Sequence, residues 1–295
     1  MMNLYRHRFP RYGTVGLAVL LVMHTVMFVK QTGMFSPEPW QQLTRWVTPV
    51  CWWAYILVLD AWLFLRRGSS WLMDRHWGFV GLCVVSVAVW CLFEAYNRVL
   101  PGWQYHNLYD NLGLRFLGYG VAFATIMPGV FLTAQLIQSW GWFARCRGGA
   151  VRWSTAALSA SVVVGAVACV GPLFAPESWR GYLWAAVWLG WVLLLEPFNY
   201  WRGLPSLYRD WENGDWRRTL ELVVAGGICG LLWEFWNAFA HTRWTYVFPV
   251  PFGWEARYFE MPWMGFLGFF PFALELFVMF HFVAGLFTDE DRLGL

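Results

Sequence analysis

Eight apolar runs, at about 14–30, 46–65, 78–97, 114–140, 154–175, 180–200, 219–240 and 263–287, dominate this 295-residue chain. Each is long enough to cross roughly 30 Å of hydrocarbon as a helix. In that solvent every backbone N–H and C=O must be paired internally, and a helix pairs them within its own segment. The runs therefore predict an all-α integral membrane protein of about eight transmembrane helices. Composition points the same way. Only 13% of the residues are charged and 59% are hydrophobic, against about 25% charged in soluble domains. The basic segment Met1–Tyr12 before Thr14–Val29 imitates a signal peptide. No small-residue cleavage site follows, so a retained first helix is expected.

Basic residues test the count. With a cytoplasmic N-terminus, the inner segments hold Arg6, Arg8, Arg11, Arg66, Arg67, Arg75, Arg145, Arg147, Arg152, Arg202, Arg209, Arg217, Arg218 and Arg292. The outer segments hold Lys30, Arg45, Arg98, Arg115, Arg180, Arg243 and Arg257. This asymmetry predicts both termini on the cytoplasmic side. The expected location is the inner (plasma) membrane of a bacterium. No basic run suggests nucleic acid, and six cysteines without a C-x-x-C pair predict neither a disulfide framework nor structural zinc. No metal site and no cofactor are expected.

The chain also resembles itself. Asp60, Arg66, Ser70 and Asp74 recur as Glu196, Arg202, Ser206 and Asp210, 136 residues later. F-E-A-Y-N at Phe93–Asn97 recurs as W-E-F-W-N at Trp233–Asn237, Trp103-x-Tyr105 as Trp244-x-Tyr246, and Asp110 as Glu260. The offset grows only between spans. We expect two tandem four-helix repeats, 1–145 and 146–295, within one membrane domain. An even helix number makes the repeats parallel, related by an axis along the membrane normal.

Ionisable groups within spans are costly and mark candidate sites. Glu94 with Asn97, and Glu234 with Asn237, share a helix face at i, i+3 spacing; His241 extends that face in the second half. Two readings stand for each pair, a helix–helix contact and an acid in a binding site. Glu275, near the middle of the last run, has Thr125 as its counterpart and is unique to the second half. Asp60 and Glu196 read as loop packing and salt bridges. His24 and His281 alone lie well inside spans, and no Glu-x-x-His pair of a di-iron site occurs. The 24 Trp, 25 Phe and 12 Tyr exceed what interfacial belts need, so aromatics should line the interior too. The Pro-rich loop Arg243–Met264 is expected to fold back over the outer mouth of the bundle.

Within that loop, Trp244, Tyr246, Gly253, Glu260 and Pro262 resemble the W-x-Y/F, glycine and Pro-plus-carboxylate pattern of the transmembrane lycopene cyclases. The likeness covers only the Trp244–Phe269 segment. The family's adjacent Glu-Glu pair is absent, and its three-helix units differ from the four-helix unit here. The resemblance implies acid protonation of a polyene, with aromatic faces stabilising the cation.

The leading expectation is a membrane-embedded enzyme or binding protein for a long apolar ligand: an isoprenoid, carotenoid, quinone or lipid. Glu234, Glu275 and Glu94 are the candidate catalytic acids. Asn97, Asn237, His241, Trp244, Tyr246, Glu260, Trp103 and Tyr105 are the candidate binding residues. The competing readings are a proton-coupled transporter or flippase, and a quinone-binding or structural subunit of a larger membrane complex. The expected partner is membrane lipid or an apolar small molecule, and an oligomer or larger membrane complex stands as an open alternative.

Overall fold

A computed structural model describes residues 7–32, 37–250 and 256–287. Arg6, Arg292 and Gly253, which entered the readings above, lie outside the described residues. The chain runs α1 (Arg11–Gln31), α2 (Pro37–Thr44), α3 (Val47–Arg67), α4 (Trp71–Asp74), α5 (His76–Val99), β1 (Trp103–His106), α6 (Leu112–Phe123) and α7 (Ile126–Trp140). It continues with α8 (Thr155–Val170), α9 (Glu177–Arg180), α10 (Trp184–Trp201), α11 (Leu207–Glu212), α12 (Arg217–Phe239), β2 (Arg243–Tyr246), β3 (Arg257–Tyr258), β4 (Met261–Pro262), α13 (Trp263–Phe266) and α14 (Phe269–Ala284).

Among the described residues, seven helical segments are long and apolar enough to cross a membrane. The eighth expected span is also helical, as α10. Its four tryptophans and the polar run Glu196, Pro197, Asn199 lower its hydropathy below that of the others. Large apolar side chains on α1, α5, α6 and α8, such as Leu21, Phe28, Trp77, Phe116 and Val167, face outward. Outward apolar surface on this scale needs a lipid solvent.

Local chemistry explains the boundaries. Asn111, Ser154 and Ser206 accept from the backbone N–H of Leu114, Ala157 and Arg209, capping α6, α8 and α11. Gly68 and Gly141, both with positive φ, close α3 and α7. The expected single run 114–140 is two helices, α6 and α7, broken at Ala124–Thr125. Pro128, one turn on, has no N–H to offer Ala124, and the Thr125 hydroxyl bonds the Ala122 carbonyl instead (2.6 Å). Pro197 sits inside α10 at the same kind of cost, but the carbonyl it orphans, Leu193, accepts from the Ser161 hydroxyl of α8 (2.8 Å).

The helices pack in a recurring pattern. α1 lies on α3, and α8 on α10; α3 lies on α7, and α10 on α14; α5 lies on α7, and α12 on α14. α12 also packs on α7 and α3, and α14 on α5. Gly165 of α8 lets the backbones of α8 and α10 meet: a Cβ there would collide with the backbone of Leu194. Gly226 and Gly230 of α12 likewise admit Phe269 of α14. At the centre, fully buried Trp52 of α3 packs on Trp233 (4.7 Å between ring centroids) and edge-on to Trp236 (4.9 Å), both of α12.

Candidate functional site

The site lies at the end of the bundle where α3, α6 and α10 begin and α5 and α12 end. Two helices finish there in the same way. The Asn97 amide donates to the Trp103 carbonyl (2.9 Å), and its oxygen accepts from the N–H of Gly102 (2.8 Å) and Trp103 (3.1 Å). The Asn237 amide donates to the Trp244 carbonyl (2.8 Å), and its oxygen accepts from the Trp244 N–H (2.9 Å). Each asparagine thus ties the strand after its helix to the helix end. Its hydrogen-bonding capacity goes to backbone, not to a cavity.

The strands so held, β1 and β2, pair antiparallel, with Trp103 opposite Tyr246, Gln104 opposite Thr245, Tyr105 opposite Trp244 and His106 opposite Arg243. Alternation puts residues 103, 105, 244 and 246 on one face. On the other face His106 Nε2 and Thr245 Oγ1 are 2.7 Å apart. Behind the aromatic face sit the acids. Glu94 Oε1 accepts from the Tyr105 hydroxyl (2.6 Å) and from the indole N–H of Trp90 (3.0 Å) and Trp103 (3.1 Å). Glu234 Oε1 accepts from the Tyr246 hydroxyl (2.6 Å), which itself accepts from the Trp244 indole (2.9 Å). Glu234 is fully buried, and its Oε2 has no partner among the described residues. Burial, reinforced by the adjoining carboxyl, holds both phenols well above the ordinary tyrosine range, so both remain donors.

In front of that face is a cavity of about 490 Å³. Among the described residues eight tryptophans line it, including Trp52 and Trp233 at the centre of the bundle, with Trp103, Tyr105, Trp244 and Tyr246 from the ribbon. This is the interior use of aromatics that the composition called for. Leu114 of α6, Leu189 of α10 and Leu267 also line it while remaining strongly exposed, so the cavity opens on the lipid-facing side of these segments. Arg45 and Arg115 lie at its rim.

The expected site residues therefore separate. Trp103, Tyr105, Trp244 and Tyr246 form the wall; Glu94, Glu234, Asn97 and Asn237 stand behind it. Glu275 is fully buried in α14, its two carboxyl oxygens have no partner among the described residues, and it does not line the cavity. His241 does not continue the α12 face, because α12 ends at Phe239 and Ala240 is extended. Instead the His241 N–H donates to the Thr44 carbonyl (3.0 Å). Burial, then the charges of Arg45, Lys30 and Arg243, lower its pKa. Glu260 also misses the cavity and pairs with Arg243 (3.3 Å).

At the opposite end, Asp60 and Glu196 are fully buried and make no salt bridge among the described residues. Asp60 accepts from the hydroxyls of Tyr12 (2.7 Å) and Ser70 (2.8 Å) and the Leu72 N–H (3.2 Å). Glu196 accepts from the Ser206 hydroxyl (2.7 Å) and the Leu207 N–H (2.6 Å). Arg66 and Arg202 turn instead to the carbonyls of Ser139 and Gly285. Neutral donors suffice, so loop packing holds and the expected ion pairs do not. Among the described residues no cluster of three His, Cys, Asp or Glu is placed to hold a metal.

Sequence reasoning missed Trp52, Tyr119, Arg45 and Arg115 as cavity residues. A guanidinium beside the start of an apolar run was the available signal for the two arginines. What the fold and this site define is a tryptophan-rich helical membrane protein with an aromatic cavity at one end of its bundle. No protein-family model, no curated protein and no solved structure matches the chain.

Proposed function

We propose that the protein binds, and in its enzymatic form transforms, a long apolar ligand such as an isoprenoid, carotenoid, quinone or lipid in the cavity beneath the β1–β2 ribbon. The observation that carries this reading is the cavity. Its volume is in the range of small-molecule sites, its walls are aromatic, and its rim is open toward lipid. A polyene chain would lie against indole faces that stabilise developing positive charge. Glu94 and Glu234 would act through the hydroxyls of Tyr105 and Tyr246, which alone of these four groups reach the cavity wall.

The same proposal takes the chain as two parallel four-helix repeats, eight spans in all, with both termini cytoplasmic in a bacterial inner membrane. The matched Asn clamps, the matched Glu–Tyr bonds and the recurring helix contacts support the repeats. The basic-residue asymmetry supports the orientation. One observation favours a second reading, a proton-coupled transporter: Glu275 is an unpartnered acid deep in a span. Proton uptake by reconstituted vesicles that Glu275→Gln abolishes would select that reading.

The test of the leading reading starts from the purified protein in mild detergent, with its absorption spectrum and extracted lipids analysed by mass spectrometry. A Cβ at Gly118 would meet only the Trp46 ring, at 4.0 Å, so Gly118→Trp grows into the cavity. A stoichiometric polyene, quinone or isoprenoid in the wild type, lost in G118W at unchanged melting temperature, is the expected result. Only bulk phospholipid from both proteins would overturn the reading.

A further inference from the structure

The cavity is apolar along its walls and cationic at its rim, and the two properties sit on different groups. Arg45 precedes α3 and Arg115 lies in the first turn of α6, and both border the cavity. Each guanidinium is held on the same loop by a neutral partner. Arg45 donates to the Asn107 carbonyl (3.4 Å) and lies over the Tyr109 ring (4.7 Å), while Arg115 donates to the Tyr109 carbonyl (2.8 Å). Neither makes an ion pair among the described residues. The Nε of Arg45 is buried with no hydrogen-bond partner among the described residues.

Asp110, on the same loop, is exposed and pairs with neither arginine among the described residues, and the other nearby acids are committed elsewhere. Glu260 is paired with Arg243, and Glu94 and Glu234 are bonded behind the aromatic wall. Among the described residues the lining therefore presents two partly buried positive charges and no negative one. Positive charge withdrawn from water without a counter-charge is costly. A planar guanidinium fork is matched by phosphate or carboxylate oxygens.

Resting on the cavity reading above, we propose that the ligand is an anionic amphiphile: one isoprenoid or acyl chain whose phosphate or carboxylate head is held by Arg45 and Arg115. The tail lies along the tryptophans and leaves past Leu189 and Leu267. Head and tail are then read by separate parts of the site. The head is gripped by groups that a neutral chain would leave unpaired, and the tail by surface that accepts any apolar chain.

The experiment titrates the purified full chain in non-ionic detergent with farnesol, farnesyl phosphate and inorganic phosphate, reading tryptophan fluorescence. Farnesyl phosphate should bind at least about tenfold more tightly than farnesol, a margin that shrinks with salt. Inorganic phosphate at millimolar concentration should not displace it. Arg115→Gln and Arg45→Gln should each bring the two affinities close together, and Arg115→Lys should restore most of the difference. Equal affinity of the wild type for alcohol and phosphate ester would overturn the headgroup proposal while leaving the apolar cavity standing. Displacement by inorganic phosphate alone would make this a free-anion site and overturn the amphiphile. Binding of neither chain would overturn the cavity reading and this proposal with it. The wild-type ratio decides even where a variant fails to fold.

Discussion

Trp103 and Tyr246 stand directly opposite each other across β1 and β2, and two residues along Tyr105 stands opposite Trp244 in the same way. Each tryptophan of one W-x-Y element meets the tyrosine of the other. The cavity wall is thus made jointly by residues 103–106 and 243–246. A slip of one residue in this pairing would turn the two rings of one strand away from the cavity while the other two stayed.

The asparagine clamps set that register, so removing one should destabilise the protein measurably. Asn237→Ala strips a fully buried partner from both the N–H and the carbonyl of Trp244. A buried group left unpaired costs about 1–3 kcal/mol, which predicts a melting temperature lower by several degrees in detergent. Asn97→Ala should cost less, because Asn97 is only half-buried. Scanning fluorimetry of both variants checks the order; an unchanged melting temperature for Asn237→Ala would remove the clamp from the account.

Two glycines on lipid-facing helices should respond oppositely to alanine. At Gly81 of α5 an added Cβ meets nothing within 4 Å, so Gly81→Ala should be neutral or stabilise by up to about 1 kcal/mol through helix propensity. At Gly165 the Cβ would strike the α10 backbone, which cannot swing aside as a side chain can. Gly165→Ala should therefore separate α8 from α10 and lower both yield and melting temperature. Similar behaviour of the two variants would refute the close approach.

The loop between α11 and α12 predicts an acid-side pH dependence. The bond from Arg217, assisted by Arg147, holds Asp215 down to about 2 from its ordinary 3.8. A carboxylate depressed in the folded state stabilises above its ordinary pKa and loses that contribution as pH falls from about 4 toward 2. Asp210 has the opposite sign: burial raises its pKa, so its protonation opposes the loss. Comparing wild type with Asp215→Asn isolates the first effect. The two melting curves should converge as pH drops through this window and stay apart above it.

How much of this was legible in the residues depended on how local the cause was. Each apolar run became helix because hydropathy and length act within the run itself. The α6–α7 break was readable in principle from Pro128 but was masked by the apolar residues around it. The i, i+3 spacing of Glu94 with Asn97 and of Glu234 with Asn237 placed each pair on one face of its helix. It could not say that the asparagines would turn to backbone while the glutamates met tyrosines eleven and twelve residues further on. His241 lay beyond a helix end that no residue type announced. Glu260 was drawn to Arg243 by a hairpin that places the two side by side. The cavity itself is a gap between α3, α5, α6, α10 and α14, and no segment carries a record of the space its neighbours leave.

The β1–β2 ribbon also limits how the molecule can move. One strand follows α5 and the other follows α12, so the ribbon works as a crossbar bolted to both sides of the bundle at one end. The two sides cannot part there without breaking a row of backbone hydrogen bonds, though they can splay at the far end about the crossbar as a pivot. A carrier that rocks to expose its centre alternately to both sides would need the latch undone in each cycle. A pocket that is loaded sideways from the bilayer can leave it closed.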